Sequence, residues 1–181
     1  MGALVLAASS AAGAAAQDGW RVVDGGGWCD GQAGDRDRAR FCEVREATLR
    51  PSGNVAVDAT PHGGIDVRAG GEGELRIQAK VTAVADDEDT ARQIASGVHI
   101  QTSGTVRAEG PRSRRDEWWT VSYRLTVPGR TGLDLRSHNG GISLTGVRGR
   151  TEFTTSPSAC RDASGASSPP TSARGDRPSG P

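Results

Sequence analysis

Two segments of the chain repeat one pattern, and this repeat constrains the fold more than any other feature. Val55–Val67 reads VAVDATPHGGIDV and Leu133–Leu144 reads LDLRSHNGGISL. Each contains an apolar-x-apolar strand, a polar link with a histidine, a Gly-Gly pair and a second apolar-x-apolar strand. Because alternate residues of a strand point to opposite faces, each unit has an apolar face that it cannot bury alone. The units must therefore stack on neighbours, as in a right-handed β-solenoid or β-helix-like repeat, or pack as a β-sandwich.

The links of the two segments form a turn motif at matching positions, made of His62-Gly63-Gly64 and Asn139-Gly140-Gly141. His62 and His138 precede the glycines in equivalent places and could bind a metal if the units align. We favour the simpler interpretation that they are turn residues, because glycine supplies the backbone conformations that tight turns need.

The rest of the apolar pattern also has the period of a strand. Alternation continues over Leu75–Ala83 and Trp119–Val127, which predicts an all-β protein. One short helix is expected after Asp86 or Asp87, either of which can cap it. Acidic residues then occupy its first turn, and Gly97 follows its end.

Composition divides the 181 residues into four parts. Residues 1–16 are apolar and small and end in an A-x-A pattern, which predicts a signal peptide and no transmembrane segment in the mature chain. Residues 17–50 are polar and Gly-rich and are interpreted as a loosely structured cap. Residues 51–153 form the β-strand-repeat domain. Residues 154–181 contain only Thr, Ser, Pro, Ala, Cys, Arg, Asp and Gly, which indicates either a disordered tail or a shifted reading frame.

Cysteine usage agrees with export. In an oxidising compartment, Cys29 and Cys42 are expected to form a disulfide within the cap, with two free thiols as the alternative. No Cys or His pair has the close spacing that zinc sites use. The sequence therefore predicts no cofactor.

The charges limit the class of partner. Lys+Arg and Asp+Glu are both 22, so the formal net charge is zero, which argues against a dedicated nucleic-acid protein. A small basic cluster, Arg112, Arg114 and Arg115, precedes Trp118 and is a weak candidate for contact with an anionic polymer. A hairpin turn with flanking charges is the simpler interpretation.

Catalysis has little support in the sequence. Asp58, Asp66 and Asp134 each lie between apolar strand residues, so they should point outward, where paired carboxylates could serve a carbohydrate-active enzyme. Solvated strand-face charges are far more common. The sequence contains no Ser/His/Asp arrangement, phosphate loop or dinucleotide fingerprint. We therefore expect a protein that is not an enzyme.

The segment from Val55 to Phe153 resembles the bacterial adhesin family of exported β-strand-repeat proteins. The resemblance is carried by NVAVDATPHGGIDV, by RIQAKVTAVA followed by DDEDTARQIASGVHI, and by VSYRLTVPGRTGLDLRSHNGGISLTGVRG. It implies a solenoid-like β fold, a location in the periplasm, at the cell surface or outside the cell, and no catalytic residues. The expected function is binding of an envelope protein or glycan through the surface of the protein. A purely structural envelope component is the alternative.

Overall fold

The computed structural model describes residues 19–30, 38–50, 53–71 and 73–155. This part of the chain is mostly β with one short helix, as the sequence predicts. The strands are β1 (Arg21–Val23), β2 (Ala39–Leu49), β3 (Asn54–Asp58), β4 (Ile65–Gly70), β5 (Leu75–Ala85), β6 (His99–Gln101), β7 (Thr105–Glu109), β8 (Trp118–Pro128), β9 (Gly132–Ser137), β10 (Ile142–Thr145) and β11 (Thr151–Thr155), and the helix α1 (Glu88–Ser96) lies between β5 and β6.

The strands form two mixed sheets. Sheet A has the order β1-β2-β5-β8-β4-β10, and sheet B has the order β11-β9-β3-β7-β6. The long strands β2, β5 and β8 pair antiparallel, and β4 and β10 then add in parallel. In sheet B, β11, β9, β3 and β7 are parallel, and β6 pairs antiparallel with β7.

The two segments of the repeat lie directly on each other. Strand β9 pairs with β3 so that Leu133 is opposite Val55, and β10 pairs with β4 so that Ile142 is opposite Ile65. Each segment therefore has one strand in each sheet and crosses between the sheets at its Gly-Gly turn. β11 continues the parallel pairing beyond β9.

The core lies between the two sheets, because every second strand residue points into that space. Val57 and Leu135 from sheet B and Val67 and Leu125 from sheet A are buried together with most other apolar strand residues. Tyr123, the single tyrosine of the chain, is also in this cluster and is 1% exposed. Burial of these side chains contributes most of the stability.

Helix α1 has the predicted caps. The Asp87 side chain accepts a hydrogen bond from the Thr90 backbone N–H at 2.8 Å, and Gly97 is the C-cap. Ala91 and Ala95 are buried against the strands, and Ile94 packs beside them. Capping and a narrow apolar stripe therefore suffice to specify this element.

The interpretation of residues 17–50 as a loosely structured cap is wrong for β2, which is an eleven-residue strand paired along its whole length with β5. Its inward positions include Glu43 and Arg45, and these charges hide the apolar alternation. Arg45 is buried because its guanidinium donates to the carbonyl oxygens of Ala95 at 2.7 Å and Val98 at 2.5 Å, and it pairs with Glu43 at 2.6 Å. It therefore connects the C-terminal end of α1 to β2, where the Ala95 carbonyl oxygen also accepts from the Val98 backbone N–H at 3.0 Å.

The proposed signal peptide, residues 1–16, lies outside the described residues. The tail predicted from residue 154 also lies outside them from residue 156 onward, and its first two residues belong to β11.

Candidate functional site

The outer face of sheet A carries the polar side chains of its two central strands. On β5 the residues Ala79 and Val81 point into the core, so Lys80 points outward. On β8, Tyr123 points inward and Ser122 points outward, directly opposite Lys80 in the pairing register. The strand period thus lines up hydrophilic pairs along one surface.

A groove of about 670 Å³ lies over this surface, and we call it the basic groove. Among the described residues, its ionisable lining residues are Arg40, Lys80, Arg114 and His62, and none of the described lining residues is a carboxylate. The described lining residues are Arg40, Pro61, His62, Lys80, Thr82, Ser113, Arg114, Trp118, Thr120, Ser122 and Asn139. Such a surface offers cations, hydroxyl groups, an amide and one indole ring.

Lys80 lies in the centre of this positive region. Partial burial lowers the pKa of its ammonium group, and the nearby positive charges of Arg124 and Arg40 lower it further. Within residues 19–30, 38–50, 53–71 and 73–155, no carboxylate forms an ion pair with Lys80 or with Arg124. Two neighbouring positive charges such as those of Lys80 and Arg124 repel each other, so this arrangement favours anion binding.

The N-terminal segment crosses the same face. Cys29 and Cys42 form a disulfide, which joins the turn at Gly25–Asp30 to strand β2. The preceding residue, Trp28, has its ring centroid 4.0 Å from the Arg124 guanidinium carbon and 5.3 Å from Lys80 Nζ. The indole therefore interacts with two cations of the sheet through its ring face.

The turn motif forms one end of the basic groove. Asn139 Nδ2 donates to the Pro61 carbonyl oxygen at 3.1 Å and lies 2.9 Å from His62 Nδ1. The Ser137 hydroxyl lies 2.8 Å from the carbonyl oxygens of both Gly63 and Gly140. These bonds hold the two turns against each other, and they place His62 and Asn139 in the lining.

A second groove, of about 360 Å³, continues on the same face beyond Trp28, and we call it the arginine groove. It is lined by Asp66, Arg68, Arg76, Gln78, Arg124, Leu125 and Thr126. Of these described lining residues, one is a carboxylate, Asp66, and it is paired with Arg68 at 3.1 Å. The excess of arginine therefore gives this groove a positive charge as well.

The structure brings together part of the binding surface expected from the sequence. Arg114 and Trp118 line the basic groove, whereas Arg112 and Arg115 are exposed outside its lining. Arg115 instead offers its carbonyl oxygen to Arg38 at 3.4 Å. The indole ring and one arginine of the predicted cluster thus belong to the site.

Sequence reasoning missed Arg40, Lys80, Arg124 and Trp28. Lys80 could have been recognised from the sequence, because it is the single lysine of the chain and occupies an outward position in the apolar alternation RIQAKVTAVA. Arg40 and Trp28 lie in the segment interpreted as a cap, so their strand and turn positions were not recognised.

Of the three acids proposed for a catalytic alternative, Asp66 lies apart from the other two, which are diagonal neighbours on the paired strands β3 and β9. Asp66 lies on sheet A, whereas Asp58 and Asp134 lie on sheet B. Asp134 pairs with Arg136 of its own strand at 3.5 Å, and Asp58 accepts from the Thr60 backbone N–H at 2.9 Å. In the part of the chain that the structure describes, no three Cys, His, Asp or Glu side chains form a group suited to a metal ion.

Comparison of the sequence with protein-family models and with curated proteins gives no match. Among solved structures, a crystal structure of a "putative adhesin" from Bacteroides fragilis is similar, with 11% sequence identity and a TM-score of 0.36. The similarity covers 64% of this chain and 53% of the other, so the chain spans about half the length of that protein. The function is therefore argued from the groove. No described helix has both the length and the apolar character needed to cross a membrane.

Proposed function

We propose that this chain is an exported cell-envelope protein that binds an acidic glycan in the basic groove and does not catalyse a reaction. The observation that carries the proposal is the position of Lys80, which lies near the positive charge of Arg124 and lines a groove in which none of the described lining residues is a carboxylate. Carboxylate or sulfate groups of a glycan would relieve the repulsion among these cations.

The remaining lining favours a glycan over a protein partner. Protein interfaces are built around large apolar anchors in dry pockets. Among its described lining residues, the basic groove has Pro61 and Trp118 as the larger apolar ones, and the hydroxyl-bearing residues Ser113, Thr120 and Ser122 also line it. Hydroxyl groups can exchange hydrogen bonds with sugar hydroxyls, and the indole offers an apolar surface for a sugar ring.

A binding assay with a matched pair of ligands tests this proposal. Calorimetric titration should detect polygalacturonate and should not detect its methyl ester, because only the former has free carboxylates. Lys80→Gln combined with Arg114→Gln should weaken binding by about tenfold or more, since each removes a charge from the groove. Arg107→Gln is the matched control, because Arg107 lies on sheet B and pairs with Glu109 there.

Four results would overturn the proposal. They are equal binding of the ester, an equal effect of R107Q, tighter binding of single-stranded DNA than of the acidic glycan, and release of reducing ends from the glycan during incubation. Protease treatment of intact cells, combined with fractionation, tests export, and recovery of the protein only from the cytoplasm would contradict that part.

We also propose that the parallel part of the fold is the beginning of a solenoid. β3 with β4, β9 with β10, and then β11 occupy successive positions along both sheets. The support is the matching register of the two Gly-Gly turns, which repeats the same crossing between the sheets. In this proposal the antiparallel strands β2, β5 and β8 carry the binding face on their outer side.

A further inference from the structure

The two grooves on the outer face of sheet A lie along the same pair of strands. The pairing register places Arg76 opposite Thr126, Gln78 opposite Arg124, and Lys80 opposite Ser122. Thr82 opposite Thr120 and Val84 opposite Trp118 continue the series, but Thr82 and Val84 are buried. Because outward residues recur every second position, the three pairs from Arg76 to Lys80 extend over about 14 Å of strand.

Cations recur along this series of pairs. Arg76 and Arg124 line the arginine groove, and Lys80 lines the basic groove together with Arg114. On the neighbouring β2, the carboxylate of Glu46 is bound by Arg21 at 2.6 Å and by Gln78 at 3.0 Å. The hydrogen bond from Arg21 and then that from Gln78 lower the pKa of Glu46, and the charge of Arg76 lowers it further, so Glu46 is matched mainly by Arg21 and offsets part of the charge of Arg76.

Trp28 connects the two grooves. Its ring lies over Arg124, which lines the arginine groove, and it is also within cation–π distance of Lys80, which lines the basic groove. The disulfide between Cys29 and Cys42 fixes the backbone beside this ring. An indole that is fixed at the boundary between two cationic grooves can contact a ligand that passes from one to the other.

We infer that the basic groove, Trp28 and the arginine groove form one continuous track for a linear, carboxylated glycan that runs along β5 and β8. This inference rests on the proposed function and adds the length and direction of the bound ligand. A linear polymer with an acidic group on each sugar presents its charges in a row. A row of charges matches cations that are placed at two-residue steps along straight strands.

A track makes binding depend on ligand length. A short acidic oligomer occupies one groove, whereas a longer one reaches the second groove as an intramolecular event and gains affinity from it. Titration with galacturonate oligomers, from the disaccharide upward, should show affinity rising by about tenfold or more until both grooves are occupied. Further lengthening should then add little.

Single variants in each of the two grooves test whether the bound glycan runs through both. Arg76→Gln should remove most of the gain with length, because Arg76 lines the arginine groove and does not line the basic groove. Lys80→Gln should weaken oligomers of every length. R107Q, which changes the net charge equally but on the other sheet, should have no effect.

Trp28→Ala, with the disulfide retained, tests the connection between the grooves. We expect the gain with length to fall, because the contact between the two grooves is lost. Circular dichroism and the melting temperature of each variant control for folding. Unchanged or tighter binding of long oligomers by W28A would show that the ring obstructs the face, and it would overturn the track.

The outcomes separate this inference from the proposed function. Affinity that does not depend on length, with R76Q equal to the parent protein, would overturn the track and leave single-groove binding intact. Absence of binding to every acidic oligomer and to polygalacturonate would overturn both.

Discussion

Gly140 approaches Gly63 so closely across the stacked turns that a Cβ atom on Gly140 would lie 2.1 Å from the Gly63 carbonyl oxygen. That oxygen belongs to the backbone and cannot move away by rotation of a side chain. The adjacent Gly141 has no heavy atom within 4 Å of the corresponding position. The first glycine of the second turn is therefore required by contact between the repeat units, and the second is not.

Gly140→Ala should destabilise the protein by about 2–3 kcal/mol, because the turns must separate to admit a methyl group. Gly141→Ala is the matched control and should change stability by less than about 1 kcal/mol in either direction. Urea unfolding followed by circular dichroism measures both. Equal midpoints for the two variants would contradict the stacking of the turns.

Arg45→Ala should be among the most damaging single changes in the chain. In the parent protein the Arg45 guanidinium binds the Glu43 carboxylate and the carbonyl oxygens of Ala95 and Val98 at 2.5–2.7 Å. The substitution removes this cation and leaves the three groups without it. Removal of one partner from a buried ion pair costs about 3–5 kcal/mol. Urea unfolding of R45A should show a loss of that size.

The control for Arg45 is Arg92→Ala on the exposed side of α1. Arg92 pairs with Glu88 and Asp89 at the surface, where such pairs contribute about 0–1 kcal/mol, and its guanidinium carbon also lies 5.3 Å from the centroid of the Phe41 ring on β2, an exposed cation–π contact that adds about 0.5–1 kcal/mol. If R45A lost no more stability than R92A, the buried guanidinium would not be the group that holds α1 to β2.

The sequence predicts the elements whose signals are local. Alternation reveals the repeat strands, and Asp87 and Gly97 delimit α1, because strand period and capping depend on neighbouring residues. It does not predict β2, since the buried charge of Arg45 is explained only by carbonyls about fifty residues later in the chain. For the same reason the site is only partly predicted. Arg114 and Trp118 lie four residues apart in sequence, whereas Lys80 and Trp28 are brought to the same face by strand pairing and a disulfide.

Tyr123→Phe should leave the protein as stable as the parent or more stable by about 1 kcal/mol, because a buried hydroxyl without a partner carries a desolvation cost. Among the described residues, none accepts a hydrogen bond from this hydroxyl or donates one to it. Thermal unfolding at neutral pH measures the effect. A loss of more than about 1 kcal/mol would indicate a partner for the hydroxyl.

Tyr123 also predicts how stability depends on alkaline pH. Burial raises the pKa of its phenol, and the negative charge of Asp58 raises it further. The folded state therefore favours the neutral phenol, and the stability due to this group is complete below the pKa of an unfolded tyrosine, about 10. As the pH rises above this value, the free energy of unfolding of the parent protein should decrease more steeply than that of Y123F.

Because the chain has one tyrosine, tyrosinate absorbance reports this residue alone. In the folded protein the absorbance should increase only when the protein unfolds, and the two transitions should coincide as the pH is raised. Titration of the phenol while circular dichroism still shows the native fold would contradict its burial in the core.

Lys80 allows the electrostatics of the basic groove to be measured without a ligand. It is the single lysine, so acetylation at this site can be followed by peptide mass spectrometry and separated from the α-amino group. Partial burial and the charges of Arg124 and Arg40 lower its pKa, so the reactive neutral amine should form at lower pH in the folded protein than in urea. We expect the midpoint of the acetylation rate against pH to shift downward on folding.

The same reaction then tests occupancy of the groove. A bound polyanion stabilises the protonated ammonium and covers it, so polygalacturonate should raise the midpoint and slow the reaction, whereas its methyl ester should do neither. Arg124→Gln should raise the midpoint without any ligand, because one of the two neighbouring positive charges is gone. A midpoint that is the same in folded protein, in urea and in R124Q would mean that the cations of this face do not act on Lys80, and the electrostatic basis of anion binding in the groove would be lost.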